Sequence, residues 1–109
     1  MAEQIQIRAR MQGNEITEVK ILLVHEMETG LRKDPKTKNL IPAHYINDVV
    51  VTLNSKPVLR AQWSAGISKN PFLGLRLAGA KVGDFIAINA VDNLGKKYEH
   101  NAIVISLHQ

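Results

Sequence analysis

The 109-residue chain contains no cysteine, which excludes disulfides, thiolate catalysis, iron–sulfur clusters and cysteine-ligated zinc. Aromatic residues make up only 5% of the sequence, so the stacking platforms of sugar clefts and single-stranded nucleic-acid grooves are scarce. No segment approaches the roughly 20 apolar residues that span a bilayer, and the alternating N-terminus lacks the apolar core of a signal peptide. These absences predict one soluble, unprocessed domain over residues 1–109.

The residues that are present alternate between polar and apolar types, as half-buried strands do. In "IQIRARM", Ile5, Ile7, Ala9 and Met11 share one face. Six more stretches of this kind follow, most of them separated by turn residues: "EVKILLVHEM", "YINDVVVTLN", "VLRAQWS", "FLGLRLAG", "FIAINAVD" and "YEHNAIVISL". The pattern predicts an all-β fold, an immunoglobulin-like antiparallel β-sandwich of about seven strands, with a small barrel as the alternative.

Several predicted strands are apolar on both faces, which is unusual for a sandwich whose outer face meets solvent. In "ILLV", Leu22 and Val24 lie on the outer face, where an exposed Leu or Val forfeits roughly 1.5–3 kcal/mol of burial energy. Either the loop over residues 29–42 folds across this face or a partner protein covers it, and the sequence favours neither. Further along the same face come Glu26 and Glu28, an order typical of an interface core passing into its polar rim.

The sequence gives little support for a catalytic site or a metal-binding site. Glu26 and Glu28 share a face about 6–7 Å apart, but sugar cleavage needs a deep cleft that so few aromatics supply poorly. Ser64 and Ser68 lie outside any GxSxG elbow, and the glycines form neither a GxGxxG motif nor a Walker loop. The four histidines occur in no HxH or HExxH arrangement, so ordinary surface or core histidines are favoured over a metal site: His25, His44, His100 and His108. A regular strand also points His25 and Glu26 to opposite faces.

Two loops carry distinctive residues. The loop "TGLRKDPKTKNLIP" concentrates cations (Arg32, Lys33, Lys36 and Lys38), and the whole chain has a formal net charge of +4, which favours acidic partners. In "SKNPF", Asn70 precedes a proline and is expected to be extended. Phe72 either plugs the end of the sandwich or projects toward a partner. A stand-alone binding module for an acidic partner such as nucleic acid is therefore an alternative reading.

Four stretches together resemble the SoxZ family of sulfur-oxidation proteins: "HEMETGLRKD", "LIPAHYI", "AQWS" and "SKNPFL". Their order and spacing extend the resemblance over essentially the whole chain, from "IRAR" to the C-terminus. The resemblance implies an immunoglobulin-like, non-enzymatic subunit without a cofactor, which pairs with SoxY. In that SoxYZ heterodimer, a cysteine on the C-terminal arm of SoxY carries the covalent intermediates of thiosulfate oxidation.

Further expectations follow from the resemblance. The chain would dock transiently to the other Sox enzymes, bind no nucleic acid or membrane, and self-associate only where SoxY is absent. It would reach the periplasm by co-export with a Tat-targeted partner, having no signal peptide of its own. The expected partner interface comprises Leu22, Val24, Glu26, Glu28, Gly30, Arg32, Lys33, Asp34, Ser68, Lys69, Asn70 and Phe72.

Overall fold

The structure, a computed structural model, describes residues 4–13 and 15–106, and these form seven strands and no helix. Asn14, from the predicted Gly13-Asn14 turn, and His108 lie outside the described residues. The strands are β1 (Ile5–Gln12), β2 (Ile16–Leu23), β3 (Ile46–Leu53), β4 (Lys56–Gln62), β5 (Phe72–Ala78), β6 (Phe85–Asp92) and β7 (Lys97–Ile103). The predicted all-β class is confirmed.

The strands form two antiparallel sheets that pack as a β-sandwich. One sheet has the order β1-β2-β5 and the other β4-β3-β6-β7. Constant-type immunoglobulin domains place their fourth strand beside the fifth. Here β4 instead pairs with β3, so the division is three strands against four. A tight turn sets this pairing, because Asn54 and Ser55 both adopt positive φ angles, 48° and 72°, as a primed hairpin turn requires.

The core lies between the two sheets and consists of the side chains that point inward, which alternate along each strand with side chains that point outward. In β2, Val19, Ile21 and Leu23 are at most 1% exposed, whereas Lys20 points to solvent and Leu22 is half-buried. Each fully buried aliphatic side chain of this size stabilises the fold by roughly 1.5–3 kcal/mol. The predicted inner and outer faces of "ILLV" are therefore confirmed.

The two flanks of the sandwich differ. On one flank β1 packs against β7, and Ile105 continues beyond β7 to hydrogen-bond with β1 through Met11 N–H to Ile105 O (2.9 Å) and Ile105 N–H to Ala9 O (3.0 Å). On the other flank lie the edges of β4 and β5, each paired on one side only in the described sheets. We refer to the β4 and β5 edges together as the open flank.

Two local predictions are wrong. The second strand was predicted to run through Met27, but β2 ends at Leu23, and Met27 has a positive φ of 52° that a regular strand does not tolerate. Asn70 is not extended; its φ is also 52°. Asparagine tolerates this left-handed conformation, and two hydrogen bonds to His25 hold it there: His25 N–H to Asn70 Oδ1 (2.9 Å) and Asn70 N–H to His25 O (2.8 Å).

Candidate partner-binding surface

One end of the sandwich brings together two segments that are distant in sequence. Residues 22–32 leave β2, and residues 65–72 lead into β5; together we call them the strand-end surface. Besides the His25–Asn70 pair, Leu23 N–H donates to Pro71 O at 2.9 Å. Leu22 and Phe72 are direct cross-strand partners. These contacts join most of the predicted interface residues into one continuous surface.

The apolar part of this surface is exposed. Phe72 is 55% exposed and Val24 42%, so Phe72 projects from the sandwich end instead of plugging it. Leu22 and Phe72 line a shallow groove of about 220 Å³ together with Arg8 and Lys20. Partner-binding surfaces commonly combine large apolar anchors with surrounding polar groups. Exposed Phe72 and Val24, with Arg8 and Lys20 beside the groove, have this composition.

The polar part of the surface lies on the other side of the 65–69 loop. Glu26, Glu28, Arg32 and Lys69 line a broader groove of about 630 Å³. Arg32 forms a bidentate ion pair with Glu28, with Nη2 to Oε1 at 2.5 Å and Nε to Oε2 at 3.3 Å. The hydrogen bond from Arg32 lowers the pKa of Glu28. The Arg32 side chain is open to solvent although that of Glu28 is only 12% exposed, so the pair supplies geometry and charge more than stability.

Residues 28–44 form a projecting hairpin, which we call the hairpin arm. Its two sides hydrogen-bond to each other, with Glu28 N–H to His44 O at 2.7 Å, His44 N–H to Glu28 O at 3.0 Å and Ile41 N–H to Arg32 O at 2.8 Å. Residues 31–40 are exposed except for half-buried Asp34. Because the two sides of this loop pair with each other, the loop does not fold across the outer face of the sheet. The first of the two alternatives offered by the sequence is therefore wrong.

The predicted residues of the arm have separate roles. Gly30 has a φ of 87°, and a Cβ there would approach the Ala43 Cβ to 3.1 Å, so both conformation and packing require glycine. Asp34 caps the tip by accepting from Lys36 N–H at 2.7 Å, and this bond lowers the pKa of its carboxyl. Lys33 pairs with Leu40 across the arm, so Lys33 and Asp34 lie beyond the strand-end surface.

The same end of the sandwich contains a buried polar network that the sequence did not reveal. Asp92 is 2% exposed and accepts four hydrogen bonds. Its Oδ2 accepts from His44 Nε2–H and the Tyr98 hydroxyl, each at 2.8 Å, and its Oδ1 from Leu94 N–H and Lys96 N–H, each at 2.9 Å. We call His25, His44, Asp92 and Tyr98 the histidine–aspartate network.

The network shifts the ionisation of its members. Burial works to raise the pKa of Asp92, but hydrogen bonds from His44, Tyr98 and the two backbone amides outweigh it and lower that pKa to about 2. Burial, then the bond to the carboxylate, raises the pKa of Tyr98. Burial, then the neighbouring His44, lowers the pKa of His25. Asp92 is therefore ionised and His25 neutral at pH 7.

His25, His44 and Asp92 offer ligand atoms within 4.8 Å of one another. His25 Nδ1 already accepts from Met27 N–H at 3.0 Å, and the two carboxylate oxygens of Asp92 accept two hydrogen bonds each. His44 donates to this carboxylate through Nε2, a bond that metal-ligating histidines also make through their second ring nitrogen. The network thus joins the root of the hairpin arm to the turn between β6 and β7. In the sequence, Asn93-Leu94-Gly95 is typical of a turn after Asp92, but nothing in that pattern indicates His44.

The chain is similar to the solved superoxide reductase (neelaredoxin) of Ignicoccus hospitalis, with a TM-score of 0.62 over 95% of this chain and 80% of that one. At 12% identity this similarity shows a shared sandwich fold alone. Among curated proteins, no significant match was found. The family model described as sulphur oxidation protein SoxZ matches residues 5–102, and the chain therefore belongs to the SoxZ family.

Among residues 4–13 and 15–106, none forms a helix long and apolar enough to cross a bilayer.

Proposed function

We propose that this chain is the non-catalytic subunit of a SoxYZ sulfur carrier. It pairs with SoxY, whose C-terminal arm cysteine holds the covalent sulfur intermediates of thiosulfate oxidation, and helps present that arm to the Sox enzymes. The family match over residues 5–102 carries the proposal. The absence of cysteine supports it, because a chain without a thiol cannot itself bear a cysteine-linked adduct.

The strand-end surface is the proposed contact region for this partner. Val24 and Phe72 supply its exposed apolar area, and the Glu28–Arg32 ion pair lines its polar groove. Interfaces commonly place aromatic anchors centrally and polar groups peripherally. The predicted interface residues in the hairpin arm, beyond Arg32, are available for the transient docking of Sox enzymes.

Co-expression with the SoxY-family protein of the same genome tests the proposal. We expect a 1:1 complex on size-exclusion chromatography and native mass spectrometry. Phe72→Ser should weaken the complex by about 2 kcal/mol, the usual effect of losing an interface anchor. Val82→Ser is the matched control, since Val82 is 57% exposed at the opposite end of the sandwich and should change little.

A stable monomer that ignores SoxY would contradict the carrier role. It would support the alternative of a stand-alone module for an acidic partner such as nucleic acid, which a binding assay with single- and double-stranded oligonucleotides would then examine.

We also propose a periplasmic location, reached by co-export with a Tat-targeted SoxY. Cell fractionation tests it directly. The chain should appear in the periplasmic fraction when SoxY with its signal is co-expressed, and in the cytoplasmic fraction when the twin arginines of that signal are replaced by lysines. A periplasmic chain in both strains would contradict co-export.

A further inference from the structure

The open flank leaves part of the core incompletely covered. The inward residues of β4, β5 and the segment between them are only partly buried although they pack on the core: Leu59, Ala61, Trp63, Ile67, Leu73, Leu75 and Leu77. Their counterparts in β2, by contrast, are almost completely buried. Each edge strand also presents a row of backbone N–H and C=O groups, the template for pairing with another strand.

Charge on the open flank indicates what kind of chain fits there. The exposed side chains of β4 and β5 include Lys56, Arg60 and Arg76, and neither strand contains an acidic residue. Two copies of this chain meeting flank to flank would oppose like charges, which cross-strand pairs disfavour. A partner edge in which acidic residues alternate with apolar ones would match both the charges and the partly covered core.

Gly74 in β5 leaves room for the backbone of another chain to come close to this strand. Its φ lies outside the positive range, and a Cβ added there would meet nothing within 4 Å. Neither backbone conformation nor packing within the described chain therefore requires glycine at this position. Glycine inside a strand costs stability and often marks a site where another backbone comes close.

We propose that an edge strand of the partner chain adds to β5 and extends the three-stranded sheet. Its apolar side chains cover the partly buried leucines and Trp63, and its acidic side chains face Arg76 on the outer face of β5, while Arg60 on β4 adds to the positive charge of the flank. This inference rests on the proposed pairing with SoxY and goes beyond it by assigning the mode of contact. The open flank is continuous with the strand-end surface, because Phe72 begins β5 and lines a groove with Trp63.

Charge reversal in the co-expressed SoxY complex tests the proposal. Arg60→Glu combined with Arg76→Glu should raise the Kd of the pair about tenfold in low salt, and high salt should reduce the difference. The control is Lys81→Glu with Lys97→Glu, which changes the same total charge at exposed positions away from the flank and should raise the Kd less than about threefold.

Gly74→Leu provides a second arm that does not depend on charge. The substitution meets open space in this chain, so the melting temperature of the variant should stay near that of the wild type while the Kd rises about tenfold. Asn101→Leu adds similar bulk on the exposed face of β7 and should leave pairing unchanged.

The outcomes separate this inference from the proposed function. Failure of the wild-type chain to bind SoxY contradicts both. A stable complex whose Kd is unchanged by the flank variants but raised by Phe72→Ser keeps the proposed function and overturns strand addition. A wild-type chain that dimerises, and that Gly74→Leu makes monomeric, assigns the flank to a second copy and also overturns the inference.

Discussion

Asp92→Asn is the change that most directly examines the histidine–aspartate network. The substitution keeps the shape of the side chain but replaces one acceptor oxygen with an NH₂ group. The amide would keep its oxygen toward the Leu94 and Lys96 N–H donors and turn its NH₂ group toward His44 and Tyr98, which would then have to accept, so the charge-assisted hydrogen bonds to the carboxylate are lost. We expect the variant to lose about 2–4 kcal/mol of unfolding free energy at pH 7, as removal of a buried charged acceptor typically does.

The pKa of Asp92 gives the part of this effect that depends on charge. A fall from 3.8 to about 2 corresponds to about 2 kcal/mol. Because the pKa is lower in the folded state, this stabilisation is fully present above the unfolded value of about 4 and is lost as the pH falls through about 2. The difference in stability between wild type and variant should therefore shrink by about 2 kcal/mol from pH 7 to below pH 2.

Urea unfolding across this pH range provides the measurement, with Asp48→Asn as control. Asp48 is an exposed aspartate on β3, and its replacement should change the unfolding free energy by less than about 0.5 kcal/mol at any pH. An Asp92→Asn chain as stable as the wild type at pH 7 would refute the energetic account of the network. A difference that stays constant down to pH 2 would show that the charge of Asp92 contributes nothing.

Three other changes have defined expectations. Thr17→Val should alter the unfolding free energy by less than about 1 kcal/mol in thermal melts, because the buried hydroxyl donates only to a weak thioether acceptor. Gly30→Ala should destabilise the hairpin arm by about 1–2 kcal/mol, through its positive φ and the close Ala43 Cβ, and amide exchange should then rise in residues 28–44 alone. Arg32→Glu with Lys33→Glu should slow association of the SoxYZ pair with at least one Sox enzyme at low salt, seen by stopped-flow; unchanged rates would contradict electrostatic steering.

The fold was largely predictable because its signal is local. The alternation of polar and apolar residues predicted a strand over Phe85–Asp92, and the structure forms this strand as β6. The same alternation assigned Ile21 and Leu23 to the core, where both are buried. The end of β2 was not predictable, because the backbone of His25 bonds to Asn70 across a sequence separation of 45 residues. No periodicity within one strand reports such a contact.

The candidate surface was predictable in part for the same reason. Val24 and Phe72 were expected in a partner interface, and the structure shows that both side chains are exposed. The histidine–aspartate network escaped prediction because it joins His44 and Asp92, which are 48 residues apart. Single-sequence spacing reveals ligand or acid–base motifs only where the residues share one element.

The rooting of the hairpin arm has a mechanical consequence. Two backbone bonds between Glu28 and His44 fix its root, and the His44–Asp92 bond ties that root to the sheet. At strand spacing, the chain from Glu28 to Asp34 can extend at most about 20 Å. A protrusion clamped in this way acts as a spacer of set length. Any surface that the lysine-bearing tip touches is held at a fixed distance from the sandwich, and in the proposed carrier this distance sets how far the arm of SoxY must swing to reach that surface.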